Sequence, residues 1–73
     1  MAAFDRITFD RDVMGGRACV RGMRLPVSTI VDLVADGLTA AEIIKEYPVL
    51  DAEDIRQALG YAAYLAREEV HTA

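Results

Sequence analysis

Cysteine and histidine occur once each, at Cys19 and His71, and tryptophan is absent. A single cysteine rules out an intrachain disulfide framework and points to a reducing, cytoplasmic setting. Cys19 also lacks a base for nucleophilic chemistry, because the one histidine lies close to the C-terminal end. Its expected role is that of a small buried apolar residue. No apolar run approaches the roughly 18 residues that a membrane span needs. The opening "MAAFDRITFD" carries acids early and has no apolar h-region, so a signal peptide is not expected. Ser/His/Asp, Cys/His and metal-ligand groupings are missing too, so no enzymatic activity, metal or cofactor is expected. The nearest approach to a carboxylate pair, Asp51 and Asp54, falls on a helix start expected to be solvated.

Positive charge is scarce beyond the first third of the chain. The 73 residues carry a net charge of −4. Residues 1–26 hold five arginines against Asp5, Asp10 and Asp12, whereas residues 27–73 hold three basic residues against nine acids. This balance lacks the broad basic footprint of a nucleic-acid binder, and leaves only the N-terminal part for such a role. The acidic remainder suits a basic protein partner. A chain this short buries only about 60% of its unfolded surface. Its apolar content of 53% is slightly above the globular norm. Surplus apolar surface on a small domain predicts a partner or a second copy.

Local patterns predict a mainly α fold: a small N-terminal β-hairpin followed by a three-helix, helix-turn-helix or winged-helix-like bundle. The β-element spans about 6–26. "RITFD" alternates, with Ile7 and Phe9 on one face. "ACV" at 18–20 is a second strand, Gly22 sits at a tight turn, and "MRL" at 23–25 is the returning strand, stopped by Pro26. The first helix covers about 28–36, with Ser28 as its N-cap, Ile30, Val31 and Val34 as its apolar stripe, and Gly37 at C′. The second covers 40–46 and opens on a capping box, Thr39 with Glu42, stapled by Leu38 and Ile43. Twelve residues on, Leu50, Asp51, Asp54 and Ile55 repeat the arrangement at the start of the third helix, about 52–69. With Asp at N3, the reciprocal bond there is less assured. Ile55, Leu59 and Ala62 mark the inner face of that helix.

The stretch "GGRACVRGMRLPV" raises three readings. Phosphate cradling fails, because no helix N-terminus follows Gly15 and Gly16 and no Gly-Lys-Ser/Thr ending is present. Arg17, Arg21 and Arg24 on a hairpin suit phosphate contacts, as a wing or arm does. They equally suit a solvated role, or pairing with the helix acids. On the third helix only Arg56 and Gln57 have the chemistry to approach bases, and the carboxylates of its first turn repel phosphates. Tyr61, Tyr64, Leu65 and Glu68, beside small residues such as Ala63 and Gly60, form a candidate dimer or partner interface.

The run "GGRACVRGMRLPVSTIVDLVADGLTAAEIIKEYPVLDAEDIRQALGYAA" resembles the domain of unknown function 433 family. That pattern has Arg-Gly-Thr-Arg-Ile-Pro-Val, a helix and glycine, a capped helix, Tyr-Pro, and a last helix with Ala-Leu-x-Tyr-Ala. Met23 stands where threonine is usual. The resemblance implies a helix-turn-helix-like antitoxin of a type II toxin–antitoxin pair. It would neutralise a PIN-like ribonuclease encoded next door, form a homodimer and repress its own operon through operator DNA. A stand-alone DNA-binding regulator, or a homodimeric module without nucleic acid, are the alternative expectations.

Overall fold

Two short strands lie against a bundle of three helices. The computed structural model describes residues 4–70, and the side chains of residues 4–67. The elements in order are β1 (Ile7–Phe9), β2 (Ala18–Val20), α1 (Val27–Ala35), α2 (Ala40–Glu46) and α3 (Ala52–Val70), with a 3-10 turn at Met14–Gly16 between the strands. The expected architecture of a β-hairpin followed by three helices is therefore present, and the chain is mainly helical.

β1 and β2 pair antiparallel, with Ile7 opposite Val20, Thr8 opposite Cys19 and Phe9 opposite Ala18. The expected return strand at 23–25 does not form. After β2 only a single bridge, Cys19 to Pro26, extends the sheet. Pro26 lacks an amide hydrogen to continue a ladder, and the chain enters α1 at once. Pro26 is itself the N-cap, with φ −66° and ψ 149°, and no side-chain cap is made. This corrects Ser28, which lies inside the helix and accepts a hydrogen bond from Arg17 instead.

α1 ends in a Schellman motif. Leu38 N–H donates to Leu33 O at 3.1 Å and Gly37 N–H to Val34 O at 2.9 Å, with Gly37 at φ 98°. One residue later, Thr39 and Glu42 complete the capping box of α2 in both directions, at 2.8 and 3.2 Å. Tyr47 before Pro48 closes α2, as the proline requires. The second box also forms completely. Asp54 N–H donates to Asp51 Oδ1 at 2.9 Å, and Asp51 N–H donates to Asp54 Oδ2 at 3.0 Å.

The core joins Ile7, Val20 and Leu25 of the β-element to Val27 and Ile30 of α1, Ile43 of α2, and Leu50, Ile55 and Ala58 at α3. The apolar stripes are rotated relative to expectation. On α1, Val27 is buried whereas Val34 is exposed. On α3, Ala58 is buried and Tyr61 packs partly against the core. The first turns of α3 pack into this core, and its residues 63–67 are exposed.

Candidate functional site

Val20 to Met23 form a two-residue turn closed by Met23 N–H donating to Val20 O at 2.9 Å. Arg21 and Gly22, its central residues, have φ 47° and 72°. Positive φ at both is the type I′ signature, and it is costly for any residue but glycine. Arg21 is nevertheless held there from several sides. Its N–H donates to Arg6 O at 2.7 Å. Gly22 N–H donates to Thr8 Oγ1 at 2.8 Å. The left-handed backbone aims the Arg21 side chain across the sheet at the start of α3. There Nε donates to Asp54 Oδ1 at 2.9 Å and Nη2 to Asp54 Oδ2 at 2.7 Å, a bidentate fork. Nη2 also donates to Val49 O at 2.6 Å.

Asp54 is 0% exposed. The expectation of a solvated helix start therefore holds for Asp51 and is corrected for Asp54. A second guanidinium reaches the same carboxylate: Arg6 Nη1 donates to Asp54 Oδ1 at 3.0 Å and to Asp51 Oδ1 at 2.6 Å. The forked bond from Arg21 is the main reason the Asp54 carboxyl sits well below the usual carboxylate range. Arg6 does the same for Asp51, and both guanidinium groups are held more firmly protonated in return. The cluster is thus a buried anion answered by two cations and by the backbone of its own cap. No buried side-chain nitrogen or oxygen among the described residues lacks a partner.

Gln57 belongs to the same seam. It is 4% exposed. Its Oε1 accepts from Arg6 N–H at 2.9 Å, and its Nε2 donates to Asp5 Oδ1 at 2.8 Å and Glu53 Oε2 at 2.9 Å. Arg56 is exposed but paired with Glu53, donating from Nε to Oε1 at 2.8 Å. That pair, together with Gln57, brings the Glu53 carboxyl down to about 2. Of the five residues considered for DNA, Arg21 and Gln57 are occupied internally and Arg56 is neutralised on the surface. Arg17 is exposed and bonds Ser28 Oγ at 3.2 Å. Arg24 is exposed, with no hydrogen bond or ion pair among the described residues.

The tyrosines gather elsewhere. Tyr61 meets Phe4 edge-on at 5.7 Å and Phe9 at 5.8 Å, and Tyr64 lies 6.1 Å from Phe4. Phe9 is 59% exposed, and Tyr64 and Leu65 are each 47% exposed. On the other side of Tyr61, a groove of about 420 Å³ opens between β2, α1 and α3. Pro26, Val27, Val31, Ala62 and Leu65 are among the apolar residues that line it, and Arg17, Ser28 and Asp32 add its polar groups. Tyr61 therefore borders both surfaces, with Tyr64 in the aromatic cluster and Leu65 lining the groove. The Glu68 side chain, the fourth interface candidate, lies outside the described residues. Phe4, Phe9 and Arg6 were not singled out by sequence reasoning. The alternation of "RITFD" placed Arg6 and Phe9 on strand faces, but gave no sign of what each would cross to meet.

A family model described as "Protein of unknown function (DUF433)" matches residues 7–62. The chain belongs to the DUF433 family. The matched DUF433 segment contains both partners of the Arg21–Asp54 fork, and it ends before Tyr64 and Leu65. One relative, "Uncharacterized protein y4eO" of Sinorhizobium fredii (strain NBRC 101917 / NGR234), is 41% identical over 61 residues, which is 84% of this chain. This DUF433 chain spans only 28% of that relative's length. No solved structure matches it.

Proposed function

We propose that this chain is a protein-binding module, the antitoxin of a type II toxin–antitoxin pair, which holds a PIN-like ribonuclease inactive through its folded surface. One observation carries the protein-binding part: aromatic rings stand exposed on a cluster of rings packed against one another. Phe9 and Tyr64 are solvent-facing while Phe4 and Tyr61 brace them. Exposed aromatic rings on a preformed support are the usual anchors of protein interfaces. The net charge of −4 favours a basic partner surface. The identity of the partner as a ribonuclease rests on the family resemblance.

Two arginines of the β-element, Arg6 and Arg21, face inward onto acids, which weakens the case for a phosphate-binding hairpin. A separate operator-binding role would fall to Arg11 and Arg24, which are exposed. Co-expression with the product of the adjacent reading frame tests the proposal. Growth inhibition by that product alone should be relieved by this chain, and relief should weaken with Tyr64→Asp. Inhibition unchanged by the chain overturns the antitoxin reading. Operator binding would appear as a salt-sensitive promoter shift, lost on replacing Arg11 and Arg24 with alanine.

A further inference from the structure

We infer that the groove between β2, α1 and α3 is the seam for a second copy of this chain, related to the first by a twofold axis. The groove is mostly apolar, with Val31, Tyr61 and Leu65 among its lining, and Leu65 is 47% exposed. Its polar groups come in two opposite signs. Arg17 bonds only the neutral Ser28, and Asp32 has no ion-pair partner among the described residues. A twofold contact sets one patch against itself, so each residue meets its counterpart's partner and the reverse. A groove with one unanswered cation and one unanswered anion satisfies that condition. Arg17 of one copy faces Asp32 of the second, and Asp32 of the first faces Arg17 of the second. Both charges are answered at once, and Leu65 of each copy covers apolar groove of the other. An unrelated partner would need two separately matched charges to do the same. The seam leaves Phe9 and Tyr64, which do not line the groove, free for a different protein.

Sedimentation equilibrium of the full chain alone, over a concentration series, tests the seam independently of any ribonuclease. The wild-type chain should show a dimer mass. Arg17→Asp and Asp32→Arg each set like charges together at two places, and each should raise the dimer Kd roughly 10- to 100-fold. Mixing these two variants makes every cross-pair opposite again and should restore the dimer mass. Leu65→Asp, at an exposed position, should give monomer with unchanged far-ultraviolet circular dichroism. A monomeric wild type overturns the inference. So does a dimer indifferent to all three substitutions, or a mixture of the charge variants that stays monomeric.

Discussion

Asp54 is the residue on which the β-element and the helices are joined. It closes the capping box of α3 by accepting from Asp51 N–H, and it receives Arg21 and Arg6 from the β-element. Asp54→Ala removes a charge-assisted fork and the reciprocal bond of the α3 capping box but leaves two partly exposed arginines that water can solvate, so it should cost about 2 kcal/mol, measured by urea unfolding. The pH dependence has a definite sign. Asp54 binds its proton more weakly when folded than when unfolded, because Arg21 and Arg6 hold the charged form. Its stabilisation is present above the unfolded pKa near 3.9, and is lost as pH falls toward the folded value. Asp51 and Glu53 shift in the same direction. The urea midpoint should therefore fall from about pH 5 to about pH 3, and Asp54→Asn should flatten that slope. A wild-type midpoint that stays level across the interval contradicts this account.

At the scale of elements, helix ends were the most legible feature. Capping residues act over three or four positions, so their spacing is complete in the local sequence. Thr39 with Glu42, Asp51 with Asp54, and Gly37 all occupy the places that spacing assigned. Replacing Thr39 with alanine should lower stability by about 1 kcal/mol. Gly37→Ala should cost a similar amount, about 1 kcal/mol, because φ 98° excludes a Cβ on torsional grounds, with open space around it. Thermal melts of the two variants check both. The hairpin was less legible. The strands "RITFD" and "ACV" and the turn at Gly22 form where the sequence places them, but the return strand expected at 23–25 does not, and β2 pairs across residues 10–17 with β1 instead. The burial of Asp54 was hidden for a related reason. Arg21 lies 33 positions away and Arg6 48, and no local period encodes a contact over that distance.

For the whole molecule, charge asymmetry looks different once folded. The arginine-rich N-terminal part and the acidic helices partly cancel where β1, the Arg21 turn and α3 meet, and Arg21 serves first as a clamp between them. What remains outside is an aromatic cluster on one side of Tyr61 and an apolar groove with mixed charge on the other. Two separate apolar surfaces on so small a domain suit a protein that works in an assembly. The most direct test of that claim is affinity co-purification of the chain, co-expressed with the product of its neighbouring reading frame. A stable complex is predicted, lost with Tyr64→Asp and retained with Leu65→Asp. Recovery of the wild-type chain free of that product would contradict the account.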